Sequence, residues 1–215
     1  TPASNVARGE PNPRAWNVPP STTDAIAAAR ALAEEGNPQA SLARLADLRT
    51  RPGFEDESAL LRYHEARAFR LEGQGEAWRE AAWEAVDEDP RTFFGRATRA
   101  QIETVRRVAR EKGAALADVV ATFEAASPEG VPGPAGFADM QHPDAAGAVT
   151  IARLFTDALV PLLGVTLGPE IDDAALVAFI EGRPQDVADA WTKAGTWLVS
   201  VSIRQALVGD RMALA

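Results

Sequence analysis

Small and apolar residues recur at helical spacing along most of this chain, punctuated by glycine and proline, and the pattern divides it into a series of helices. Ser21-Thr-Thr-Asp24 offers N-cap candidates for a first helix through about Glu35, ended by Gly36 and followed by Pro38. Upstream, residues 1–22 carry prolines at 2, 11, 13, 19 and 20 and few large apolar side chains. That composition suits an extended arm with Trp16 as its anchor. A shift of 37 residues aligns Ala29-Arg-Ala-Leu32 with Ala66-Arg-Ala-Phe69, Gly36 with Gly73 and Ala40 with Ala77. The period is that of a helix-turn-helix unit closed by Pro52 in one copy and Asp89-Pro90 in the other, and it predicts two stacked helical hairpins over about 23–90.

Beyond the hairpins, residues 96–112 place Ile102, Val105, Val108 and Ala109 on one face with arginines opposite, an amphipathic helix stopped by Gly113. Over 114–123, Leu116, Val119 and Val120 fit the start of a helix or a short buried strand equally well. Ser127–Gly136, with prolines at 128, 132 and 134 and glycines at 130 and 133, reads as loop. Pro143 biases His142 towards extended backbone and suits the first turn of a helix, with Asp144 complementing the helix dipole. That helix is expected to run to about Val160, with Ile151, Ala152, Phe155 and Leu159 as its apolar face and Pro161 limiting it. A last pair is expected over about 173–181, ended by Gly182, and about 184–208, where Val187, Trp191, Ala194, Leu198, Val201 and Leu207 recur.

Composition narrows the functional classes. At 215 residues with 46% hydrophobic and 25% charged, the chain can bury a real core and is expected to fold. A formal charge of −9 opposes nucleic acid and anionic lipid, both of which need a basic surface to neutralise phosphate. The absence of cysteine removes disulfides, thiolate nucleophiles and cysteine metal sites, and leaves the compartment open. No unbroken apolar run reaches the ~18 to 20 residues that span a bilayer, so no membrane insertion is expected. The opening Thr1-Pro-Ala-Ser-Asn5, without an initiator methionine, reads as a processed product or a piece of something longer.

The residues that carry chemistry are Asp139 and His142, in Gly136-Phe-Ala-Asp-Met-Gln-His-Pro-Asp-Ala-Ala-Gly147. A neutral imidazole can take a proton from a nucleophile when a carboxylate fixes its tautomer, and these two supply both parts. The competing structural reading makes them a loop residue and a helix-cap group bonded to backbone. Ser4, Ser127, Ser200 and Ser202 lack the strand-to-helix turn and convergent donors of a nucleophile. His64, in Leu61-Arg-Tyr-His-Glu-Ala66, fits a surface or interhelix hydrogen-bonding role. Neither cofactor motif nor metal-ligand spacing is present, and Arg106, Arg107 and Arg110 beside Glu103 and Glu111 read as solvated helix surface. Five tryptophans point either to core packing or to binding hot spots.

Taken as a block, Thr104–Gly147 resembles the C-terminal portion of SGNH, or GDSL-like, hydrolases. The match runs through an amphipathic helix, then Gly113-Ala-Ala-Leu-Ala-Asp-Val119 where that family has its last core strand, and ends in Asp-x-x-His-Pro and a helix. Residues 23–90 resemble tetratricopeptide repeats, which some bacterial members insert between their last two core strands after a Ser-Asn-x-x-x-Trp segment. Ser4-Asn5 and Arg14-Ala-Trp16 look like a degenerate form of that segment, while Trp78 falls where the repeat usually has a small residue.

Together, pattern and resemblance imply a mainly α chain, tetratricopeptide-like helical hairpins plus the C-terminal remnant of an SGNH α/β/α fold, with at most one or two short strands. The resemblance implies repeat-like hairpins over 23–92 and an SGNH-like segment over 93–163, beside the extended arm over 1–22 and the helical pair over 164–215 that the residues themselves predict. It also implies that Asp139 orients His142 as general base of a serine esterase whose Gly-Asp-Ser nucleophile block comes from an upstream segment or a second chain. The alternative is a non-enzymatic helical module that binds a protein partner, with a vestigial Asp-x-x-His.

Overall fold

The computed structural model describes residues 6–7, 20–54, 57–89, 96–138, 141–168 and 171–182. Those residues form eight helices and no strand; the only β-type pairing among them is an isolated bridge between Phe137 and Pro143. The chain folds as two compact units, Thr1–Leu167 and Gly168–Ala215. Trp16 and the helix expected over 184–208 lie outside the described residues.

The first unit opens with two packed hairpins, α1 (Pro20–Glu34) with α2 (Pro38–Arg49), and α3 (Ser58–Leu71) with α4 (Gly75–Asp87). The N-cap candidates at 21–24 are already inside α1, because Pro20, with its pre-set φ and no amide to satisfy, takes the first helical position. The 37-residue repeat is visible in the backbone: Gly36 and Gly73 turn the two hairpins at φ +87° and +72°, values that a side chain would strain. Ala29 and Ala66 are both buried where the paired helices meet.

The misfit at Trp78 has a volumetric explanation. Its counterpart in the first hairpin is Ser41, buried and donating its hydroxyl to the Ala29 carbonyl at 2.7 Å. There the space is filled by Leu45 and Leu48, with Ile26, Leu60 and Leu61 around them. In the second hairpin those leucines become Ala82 and Ala85, and the volume they surrender is taken by Trp78, packed with Val6, Trp83, Val86 and Ile102. Core volume is thus kept while its distribution changes, the kind of exchange packed interiors tolerate best. The Arg70 guanidinium lies over the Trp78 ring, 5.5 Å from its centroid.

Helix α5 (Arg99–Lys112) starts in a capping box: the Thr98 side chain accepts from Gln101 N, and Gln101 Oε1 accepts from Thr98 N. It ends at Gly113, in the left-handed conformation. Arg99 pairs with Asp87 at 2.5 Å and Glu80 at 2.8 Å, tying α5 to α4. Of the apolar face expected here, Ile102 and Ala109 are buried, whereas Val105 and Val108 are exposed. The segment 114–118 forms no strand pairing, and helix α6 (Val119–Ala126) follows directly. Helix wins because Asp118 caps it, accepting from Ala121 N at 3.2 Å, and because no described neighbour offers a strand edge to 114–118.

Helix α7 (Ala145–Leu163) runs past Pro161 to a left-handed Gly164. Its 19 residues, at mean hydropathy 1.5, are long and apolar enough to cross a membrane. Reading for an unbroken apolar run passes over this, since Arg153 and Asp157 interrupt the segment. In its N-terminal half Gly147 and Val149 are buried, and the partly buried Ile151 and Leu154 pack against Val119, Phe123 and Phe137. The C-terminal half leaves Phe155, Leu159, Leu162 and Leu163 exposed, so most of the expected apolar face is uncovered. In the second unit, α8 (Asp173–Glu181) is capped by Asp172 and closed by Gly182, with Phe179 exposed.

Candidate functional site

The loop that bears His142 is built upward from α5. Arg106 reaches Asp118 with Nε at 2.7 Å from Oδ2 and its second nitrogen at 3.2 Å from Oδ1, while Asp118 also caps α6. That hydrogen bond to Asp118, more than any other influence, holds the guanidinium above its ordinary pKa. Helix α6 is thereby pinned at its start, and it presents Phe123, buried, to the loop. Glu124 beside it titrates above the usual carboxylate range because burial outweighs the nearby Arg106.

After α6 the chain turns as expected through 127–136. Ser127 serves this turn: its carbonyl accepts from Gly130 N at 3.0 Å and its Oγ from Glu129 N at 3.4 Å. Among the described residues before α1, Val6 is buried, and Val6 N and Ala7 N both donate to Pro132 O at 2.9 and 3.2 Å. The Val6 signal in the sequence is slight, one of two valines in residues 1–22. Beside the turn lies a hollow of about 200 Å³, lined by Arg70, Phe123, Ser127, Glu129, Pro134 and Ala135. It is smaller than the ~300 Å³ at which pockets for drug-sized ligands begin.

Gly136 then takes φ +92°, and the loop closes on itself. Ala138 N donates to His142 O at 2.8 Å, Asp144 N donates to Gly136 O at 3.0 Å, and Phe137 pairs with Pro143. The Phe137 ring packs on Phe123 with centroids 4.9 Å apart. Asp144 is the N-cap of α7, accepting from Gly147 N at 2.8 Å. This corrects the expected start of α7: Pro143 is not in its first turn but paired in the bridge, because Asp144 takes the N-cap and its carboxylate accepts from the Gly147 amide. His142 is exposed on this closed loop, one residue before the bridge's end. Asp139 lies outside the described residues, as do Ser4, Ser200 and Ser202.

His64 occupies a different kind of place. It is 4% exposed on α3, edge-on to Tyr63 with ring centroids 5.3 Å apart. Burial first, then the charges of Arg67 and Arg30, lower its pKa from 6.5 to about 4, so it is neutral at pH 7. It is therefore an interior residue rather than a surface one. Trp78 and Trp83 are likewise core residues, whereas Trp16, Trp191 and Trp197 lie outside the described residues. Among the described residues no group of three His, Cys, Asp or Glu side chains could hold a metal ion.

Comparison of the chain with protein-family models, with curated proteins and with solved structures finds no match.

Proposed function

We propose that this chain is the C-terminal part of an SGNH-like serine esterase or acyl hydrolase, carrying the Asp139–His142 half of its triad on a tetratricopeptide-like helical scaffold. The observation that carries the reading is the presentation of His142: an exposed imidazole on a loop closed by its own backbone hydrogen bonds at the entrance of a capped helix. A general base needs such a placement, held by rigid structure yet open to a proton donor. The ordered sequence resemblance from Asn5 to Gly147 supplies the reaction class. In this reading a serine from outside the chain gives its proton to His142 as it attacks an ester carbonyl. Asp139 holds the imidazole and stabilises its cationic form, and the same histidine returns the proton to the leaving alcohol. Water then repeats the attack on the acyl-serine. Substrates implied by the family include O-acetyl groups on carbohydrates. The test is hydrolysis of a chromogenic acetyl ester by the chain purified together with the segment encoded immediately upstream of Thr1. Activity lost in His142→Ala supports the proposal; activity indifferent to that change refutes it.

A second reading, a helical module that binds a protein partner, draws on the exposed Phe155, Leu159, Leu162 and Leu163 of α7. Exposed side chains of this size at i, i+4, i+7 and i+8 spacing are those that partner helices cover. Size-exclusion chromatography and pull-down with Phe155→Glu as control test it: a chain that captures nothing and does not self-associate removes its support.

A further inference from the structure

Gly136 is sandwiched between two helices at distances that admit no side chain on either glycine of the contact. A Cβ on Gly147 would lie 2.0 Å from the Gly136 oxygen, 2.8 Å from its carbonyl carbon and 3.1 Å from its Cα. All three are backbone atoms, which cannot rotate aside as a side chain can. On the other side a Cβ on Gly136 would lie 2.3 Å from Phe123 Cε1, and φ +92° there strains any L side chain in addition. The Gly136 carbonyl facing Gly147 is also the acceptor for Asp144 N at 3.0 Å, and Asp144 in turn accepts from Gly147 N at 2.8 Å. Three residues thus form one closed knot: Gly136 O to Asp144 N, Asp144 Oδ1 to Gly147 N, and Gly147 Cα against Gly136 O.

We infer that the Gly136–Gly147 backbone contact is the clamp that sets the direction in which His142 is presented, with Gly147 as a positioning residue. The two ends of the loop leave from this knot, one through Phe137 and Ala138 and the other through Pro143 and His142. Relieving a 2.0 Å contact to ordinary van der Waals separation requires the Gly136 carbonyl and Gly147 to part by roughly 1.5 Å, which breaks the Asp144 hydrogen bond and reopens the loop. Helix propensity gives no reason for a glycine at 147, inside the first turn of α7, where alanine would be the better residue. Close packing gives that reason. The inference concerns the geometry of His142, and only the use of that geometry in proton transfer rests on the hydrolase reading.

The experiment is nuclear magnetic resonance of the full chain, following amide exchange at Ala138 and Asp144 and the ring signals of His142. In the wild type both amides are expected to be protected. In Gly147→Ala they exchange about tenfold faster or more, and the His142 ring signals move, while amides of α1 to α4 keep their rates. Ala146→Gly loosens the same helical turn without adding an atom, and is expected to leave the ring signals in place. Unchanged loop amides and ring signals in Gly147→Ala overturn the inference. So does unprotected exchange of Ala138 and Asp144 in the wild type, a result that needs no variant to fold. None of these readouts requires a serine or turnover, so their failure is distinct from a failure of the hydrolase reading.

Discussion

His64 makes the stability of this protein depend on pH in a direction and amount that can be worked out. Its side chain is buried with a pKa of about 4, against 6.5 when exposed in the unfolded chain. Above about pH 7 both states hold it neutral and it contributes no pH dependence. As pH falls below 6.5 the unfolded state takes up a proton that the folded state refuses, so stability drops at about 1.4 kcal/mol per pH unit until the folded pKa is reached. Between pH 7 and pH 5 the loss attributable to this one group is about 2 kcal/mol, growing to about 3 kcal/mol at pH 4. Carboxylates elsewhere titrate in the same window, so the quantity to measure is a difference. Urea unfolding of the wild type and of His64→Gln, at half-unit steps from pH 7.5 to 4, isolates it. The variant is expected to begin less stable at pH 7 and to converge on, or overtake, the wild type as pH falls. Parallel stability curves across the whole range would show that His64 is not desolvated as described, and the reasoning would fail.

Two further outcomes follow from the same geometry. Diethyl pyrocarbonate is expected to acylate His142 quickly and to spare His64 in the native protein, with both reacting after denaturation; the reverse order, read by mass spectrometry of the peptides, would refute the placement of both rings. Asp118→Ala removes the cap of α6 and the partner of Arg106 together, and is expected to cost about 1–2 kcal/mol, whereas Arg106→Ala, losing a partly exposed pair, costs about 1 kcal/mol or less. Thermal melting of the two variants compares them, and equal shifts would rule out a dominant role for the cap.

Much of the helical layout was legible because it rests on local chemistry. Gly36 and Gly73 stand where the backbone needs positive φ, and Gly113 where a helix must stop, so composition alone located those turns. Capping was less fully read. Asp118 and Asp144 are both caps, and each decides a boundary that apolar periodicity left open or misplaced by a residue or two. Volume exchange was not legible: a single-position reading sees Trp78 as a misfit, because the compensation lies at Ala82 and Ala85 one and two turns along. Periodicity also identifies a face without saying what covers it, hence the exposed Val105 and Val108 on α5 and Phe155 and Leu159 on α7. At the site, the sequence offered His142 and its loop. The Gly136–Gly147 contact has no periodic signature, and its one trace is a glycine where helix propensity gives no reason for it.

The central claim, that His142 is half of a serine hydrolase centre, is tested most directly with a fluorophosphonate probe on this chain joined to its encoded upstream segment. The account predicts labelling of one serine in that segment, abolished by His142→Ala and strongly reduced by Asp139→Asn. Labelling that persists undiminished in His142→Ala, or an upstream segment in which no serine labels, would contradict it.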